Sequence, residues 1–387
     1  MRLCKYEIHK LITSPAILVF LSVCLVVNIA TVFLTSYKEE IDYMNSTFEV
    51  TGTVYDDTYL DKFKTLPVPT DDEMNKQYLY NKLEICAESS SNVFEGWTSE
   101  NLPINDDRFS PLTQKIQQWK YNLLQPRVTE MAINNEGNDV YFSGHSSFVH
   151  LSVFNMLGTL LMAETAIFFL LIMLWTLGYE QMMGTTSVTL ATKKGRNIIH
   201  SKITAALIVG TIFFVLIFAI TYGISFSVND FSHVWNQSIS AQYHVIGTPL
   251  YGMQPFITWN SMTIGQFFFA MVGVAYLNSL VVALFAIPFG LLIKNSYTAF
   301  VSVAGIVFLH FIYDRSVVPQ IEDVPFVWLL SKMLPYTQIM NNDLWFSDGG
   351  SYMLLPHFET IYPLICIAIM IPVIVYCKKR YKHKEIL

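Results

Sequence analysis

Long apolar runs, rather than narrow amphipathic stripes, dominate the pattern of this chain. A helix rises about 1.5 Å per residue, so roughly 20 apolar residues cross a hydrocarbon layer about 30 Å thick. Runs of this kind lie at Ser14–Ser36, Leu151–Gly178, Ile203–Phe226, Met262–Ile293, Thr298–Tyr313 and Thr360–Cys377. They predict an all-α polytopic membrane protein with six transmembrane helices. The fourth run is long and holds Pro288, which predicts a kink or an extension past the bilayer. The fifth is the shortest, at 16 residues.

The polar stretches divide the chain into three parts. Residues 1–36 hold an N-terminal amphipathic helix and the first span, 37–150 an extracellular domain, and 151–387 the transmembrane domain with spans two to six. Over the first twelve residues, apolar side chains alternate with charges. That predicts a short helix along the inner leaflet, with Lys5, Tyr6 and Lys10 among its interfacial residues, before Ser14-Pro15 turns the chain into the bilayer. In the insertion, the helix signals fall at Asp71–Phe94 and Pro111–Ala132. Ser110 suits the N-cap and Pro111 the first helical position, while Leu112, Ile116, Trp119, Leu123 and Leu124 mark one apolar face. Gln125-Pro126 predicts a kink or the end of that helix. Val324–Leu334 is apolar, too short to cross and bounded by Pro325 and Pro335. It predicts a re-entrant or interfacial helix before the last span.

Charge supplies the orientation. Charged residues are 14 % of the chain against about 25 % in soluble domains, so many side chains never meet water. The net charge of −6 is too small and of the wrong sign for a nucleic-acid binder. With the N-terminus inside, residues 1–13, 179–202, 294–297 and 378–387 carry 13 Lys/Arg against 3 Asp/Glu, whereas the outside pieces carry 11 and 26. The positive-inside rule therefore places both termini in the cytoplasm. No cleavable signal peptide is expected, because the run from Pro15 is too long for one and no small-residue cleavage site follows. Of the five cysteines only Cys86 falls outside, which leaves no extracellular intrachain disulfide.

Several chemistries lack their residues. No phosphate-binding loop with Gly-Lys-Ser/Thr occurs, no His-Glu-x-x-His, and no Cys/His set at zinc spacing, so neither a catalytic group nor a metal site is expected. His145 and His150 come nearest to a pair. Within the spans Glu164 is the only acid, near mid-depth, and Asn28 and Asn278 come out at similar depth. Such groups either line a path or clamp neighbouring helices. His310 and Asp314-Arg315 read as anchors at the outer end of span five, and the many interfacial Tyr and Trp as an aromatic belt. The loop after span two mixes Met, Val, Leu and Thr at helical spacing and closes on Gly195-Arg196, a composition suited to binding something.

With these features the chain resembles the permease subunits of ABC-2 (type V exporter) ABC transporters. The resemblance rests on the amphipathic start with Ser14-Pro15, on Glu180…Gly184-Thr185…Leu190…Thr192…Gly195-Arg196…Ile199…Lys202, and on Leu334-Pro335-Tyr336 before the last span. It covers nearly the whole membrane part and departs from the simplest members in the long 37–150 insertion, a departure similar to the subgroup that handles peptides and other amphiphiles. The resemblance implies a coupling helix at 180–196, in which Glu180, Gly184, Thr185, Leu190, Gly195 and Arg196 engage a separate ABC ATPase subunit. ATP and magnesium would sit on that partner and no cofactor on this chain. It implies a second permease copy, in a homodimer or a heterodimer with a similar permease, contact with membrane lipid, a bacterial plasma-membrane location, and export of an amphiphilic substrate such as a peptide antibiotic or lipid-like molecule. A sensor or mechanical transducer, whose extracellular domain detects a ligand such as an antimicrobial peptide, is the alternative. A membrane-embedded enzyme is disfavoured, since no catalytic pair of titratable groups falls together in the spans.

Overall fold

The computed structural model describes residues 2–70, 73–88, 94–95, 110–140, 149–191, 198–241, 245–246, 254–293, 295–313, 325–349 and 353–382. Among these the regular structure is helical apart from a two-residue antiparallel pairing of Val245–Ile246 with Gln254–Pro255 and three isolated bridges. The helices are α1 (Arg2–Ile12), α2 (Pro15–Leu34), α3 (Lys38–Thr51), α4 (Tyr59–Phe63), α5 (Met74–Glu88), α6 (Pro111–Ile133), α7 (Gly158–Met182), α8 (Thr186–Ala191), α9 (Ile198–Val228), α10 (Ile264–Leu292), α11 (Ser296–Ile312), α12 (Pro325–Lys332), α13 (Pro335–Met340) and α14 (Phe358–Lys382). Five are long and apolar enough to cross a membrane: α2, α7 with the π-helical His150–Leu157 that leads into it, α9, α10 and α14. The fifth predicted run forms α11, an apolar helix of 17 residues that is shorter than those five.

Apolar burial and close approach hold the bundle together. α7 lies at the centre against α9, α10 and α11; α10 also packs on α14, and α9 on α2 and α1. Two glycines bring helices near. A Cβ on Gly210 of α9 would stand 2.6 Å from the Phe169 ring, and one on Gly178 of α7 would meet the Ser296 side chain. Most of α2 faces outward, with only Cys24, Asn28 and Val32 buried. Pro288 lies inside α10, four residues before its end, and the helix continues through it.

The bundle has two distinguishable ends. At one, the Gly178 turn of α7 meets the start of α11, and Tyr381 of α14 lies within electrostatic reach of Glu180. At the other, Ser36 Oγ donates to Asn229 Oδ1 at 3.2 Å, and Asn342 Nδ2 donates to Thr159 Oγ1 at 2.8 Å. The insertion sits at this second end.

Within the insertion α3, α4 and α5 enclose one small core, built on Met44, Phe48, Tyr59, Phe63, Leu79 and Leu83. The helix expected at 71–94 is α5, from Met74 to Glu88. The expected N-cap of α6 is present, for Ser110 Oγ accepts from the Thr113 amide at 3.2 Å. Pro126, however, does not end the helix, which runs on to Ile133. The apolar face marked by the sequence is, except for Leu124 and the half-buried Ile116, the outward one: Leu112, Trp119 and Leu123 are 59 %, 48 % and 50 % exposed. The buried side carries Thr113, Gln117, Lys120, Tyr121, Leu124, Arg127, Val128 and Met131.

The apolar piece expected at 324–334 is helical, and a second short helix follows it. α12 and α13 meet at Met333-Leu334, and Cys366, eight residues into α14, donates through its thiol to the Met333 carbonyl at 3.5 Å. Backbone freed by such a turn needs partners when it lies away from water. Thr337 Oγ1 caps the Ser331 carbonyl at 2.9 Å and Gln338 Nε2 the Lys332 carbonyl at 2.7 Å.

Candidate functional site

The sequence places its strongest chemistry after span two, and the local backbone there has a clear origin. Gly184 adopts φ +68°, the left-handed conformation that glycine takes without a Cβ penalty. The Thr185 amide then donates to the Glu180 carbonyl at 2.8 Å and the Gly184 amide to the Gln181 carbonyl at 3.2 Å. This pair of bonds is a Schellman motif closing α7. From it the chain turns directly into α8. Glu180, Gly184 and Thr185 are thus the hinge between span two and the short helix.

The Glu180 side chain points inward. It pairs with Lys202 in the first turns of α9, and Lys202 Nζ also donates to the Thr176 carbonyl at 2.9 Å. Lys202 is almost fully buried, so its charge is held by these two partners. Next to it, Lys10 of α1 pairs with Glu7 at 2.5 Å and stands 3.9 Å from the centroid of the Tyr179 ring, a cation–π contact. Glu7, Lys10, Tyr179, Glu180 and Lys202 therefore form one polar joint, tying α1, the end of α7 and the start of α9 together.

Of the predicted residues, Lys10, Glu180, Gly184 and Thr185 meet here. Lys5 and Tyr6 lie on the exposed side of α1. Leu190 is on α8, and Gly195 and Arg196 lie outside the described residues. The joint adds Glu7 and Tyr179, which carried no motif signal of their own, and a paired role for Lys202. Glu180 and Lys202 do stand at the matching ends of two consecutive spans, the one arrangement in the sequence that foreshadows their pairing.

The intramembrane polar residues separate. Asn28 Nδ2 donates to Glu164 Oε2 at 2.9 Å, joining α2 to α7, with the Cys24 thiol beside the same carboxylate. Asn278 is buried elsewhere and donates to the Val274 carbonyl of its own helix at 3.1 Å. His310 sits near Tyr313 and Tyr336, and His150 among Phe154, Phe256 and Phe267. Asp314, Arg315 and His145 lie outside the described residues. Among the described residues, no three His, Cys, Asp or Glu side chains group as a metal site.

A second polar system pins α6 to the far end of the bundle. Lys120, fully buried, donates to the Asp348 and Met353 carbonyls at 2.9 Å each. Burial draws its ammonium down to about 8 against the pull of Asp348. Arg127 grips Glu136 with two bonds of 2.8 and 2.6 Å, and Glu136 also accepts from Ser238 and Ser261. Burial alone would raise the Glu136 carboxyl, but Arg127 and the two hydroxyls hold it below its usual range. Asp139 accepts from the Ser238 amide, and burial pushes it up to about 6. None of these residues carried a sequence signal, since polar side chains on a helix ordinarily face water.

No protein-family model, curated protein or solved structure matches this chain significantly.

Proposed function

We propose that this chain is the membrane-spanning permease subunit of an ABC transporter. It pairs, as a homodimer or with a similar permease, with separate ATPase subunits that bind ATP and magnesium, and it exports an amphiphilic substrate, a peptide antibiotic or a lipid-like molecule. The observation that carries this reading is the joint of Glu7, Lys10, Tyr179, Glu180 and Lys202. A force applied to α8 passes through the Schellman turn into α7, through Lys202 into α9, and through Tyr179 and Lys10 into α1. The two cytoplasmic pieces that the resemblance assigns to an ATPase, the N-terminal helix and the loop after α7, are thus tied to each other and to α9. The orientation follows from the basic loops and tail, which put this joint in the cytoplasm and the insertion outside.

A sensor or transducer is the second reading, favoured by the ties of α6 to the segments before α10 and α14. Ligand-induced movement of the insertion would reach those span ends directly.

Reconstituted in proteoliposomes with its ATPase partner, the protein should hydrolyse ATP and move an amphiphilic probe, both in a vanadate-sensitive way. ATP turnover without flux would favour the transducer, and no turnover would overturn both readings. Glu180→Ala leaves the buried Lys202 ammonium with the Thr176 carbonyl but without its carboxylate, a loss of about 3–5 kcal/mol at the joint. It should uncouple ATP turnover from substrate, whereas Glu180→Gln with Lys202→Met removes both charges and should retain the fold.

A further inference from the structure

Among the described residues Leu112, Trp119 and Leu123 of α6 stay exposed while Ile116 between them packs on Leu354, and the surroundings of this face indicate what covers it. Leu112, Trp119 and Leu123 stand about half exposed at spacings of seven and four residues, with Ile116 between them half-buried and Ile133 exposed further on. Leu112 to Leu123 extends about 16 Å, three helical turns. An apolar helix face left in water marks an interaction surface. The opposite face of the same helix is pinned by Lys120 and Arg127 to the segments preceding α10 and α14. A ligand seated on the outward face therefore sits one helix diameter from the ends of two spans.

Charge selects the ligand. Residues 37–150 carry 19 Asp/Glu and 9 Lys/Arg. Two of those nine cations, Lys120 and Arg127, are turned inward and contribute little to the outer field. On α6 itself Lys115 is the exposed cation and Glu130 the exposed anion. An acidic domain bearing a Leu/Trp/Leu stripe complements a molecule that is basic on one side and apolar on the other, and the domain's field draws such a molecule in before contact. We propose that this face of α6 docks a cationic amphipathic peptide of at least three helical turns, laid helix against helix. The proposal rests on the exporter-or-transducer reading above and names the ligand class for its outer side.

The test uses the full chain in zwitterionic phosphatidylcholine nanodiscs, with no ATPase. The probes are a fluorescent Leu/Lys amphipathic helical peptide and its Leu/Glu counterpart, with empty nanodiscs as reference. The Leu/Lys peptide should bind, more weakly as salt rises, and the Leu/Glu peptide should not. Trp119→Ala and Leu123→Gln, each outward-facing and harmless to the core, should weaken binding about 10-fold, the effect of losing one buried apolar anchor. Lys115→Glu should strengthen it. Equal binding of the two peptides, or binding unmoved by all three variants, would overturn the proposal. So would a dimer that Leu123→Gln converts to monomer, since a second copy would then own the face. Because the assay involves neither ATP nor flux, a chain that binds the peptide but supports no ATP turnover sinks both readings above and leaves the docking face standing.

Discussion

Glu136 and Asp139 stand three residues apart, and their surroundings push them in opposite directions. Arg127 and two hydroxyls favour the ionised Glu136, while burial beside that same charge disfavours an ionised Asp139. For Asp139 the folded value of about 6 lies above the ordinary 3.8, so the stability it confers is complete below pH 3.8 and is lost as pH rises through about 6. That lift corresponds to about 3 kcal/mol. Glu136 behaves inversely, contributing above the ordinary carboxylate range and losing its contribution as pH falls through it. The join between the end of α6 and the segment before α10 should consequently be tightest near pH 4–4.5, just above the ordinary Asp139 value, and looser at pH 7.5. Hydrogen-exchange protection at the Ser238 amide, which donates to Asp139, reads this directly. Asp139→Asn should abolish the difference. Protection that stays equal at the two pH values in the parent protein would refute the account.

At the scale of elements, legibility followed the hydrophobic pattern and failed where polar groups do the packing. The runs at 14–36, 203–226 and 262–293 map onto α2, α9 and α10, because an all-apolar helix needs no further information to be recognised. The orientation of α6 was not legible. Its core side uses Lys120 and Arg127, whose buried partners Asp348, Met353 and Glu136 stand 228, 233 and 9 positions away, and no local spacing encodes such partners. Glu180, Gly184 and Thr185 were legible as a motif, but the Glu180 carboxylate is spent inside the joint rather than offered outward. Helix approach was equally hidden. In α9, Gly210 faces the fully buried Phe169 ring, whereas Gly223 has nothing within 4 Å of its missing Cβ. Gly210→Ala should cost about 1–3 kcal/mol through overpacking. Gly223→Ala should be neutral or stabilising by up to about 1 kcal/mol, from helix propensity. Thermal unfolding in detergent distinguishes them, and equal shifts would remove the close-contact explanation.

For the whole molecule, the number of crossings decides where the C-terminus lies, and α11 decides the number. Its 17 residues make about 25 Å of helix, short of the hydrocarbon thickness. Two contacts on α7 nevertheless bracket it. Ser296, at the start of α11, abuts Gly178, while Asn342, just after α13, bonds Thr159. Those two positions on α7 are about 28 Å apart along the helix. The chain between Ser296 and Asn342 thus travels the length of the bundle, and α14 returns to bring Tyr381 near Glu180. With α2, α7, α9, α10 and α14 alone the crossings are odd and the termini oppose. With the α11 segment they are even, which agrees with the basic residues at both ends. Single cysteines at Ile133, Tyr297 and Lys379, each on an exposed position, separate the cases when intact cells meet a membrane-impermeant maleimide. Ile133→Cys should label at once, and Tyr297→Cys and Lys379→Cys only after permeabilisation. If Lys379→Cys labels on intact cells while Tyr297→Cys does not, the α11 segment fails to cross, and a tail of Lys378, Lys379, Arg380 and Lys382 would lie outside against the charge rule that orients the rest.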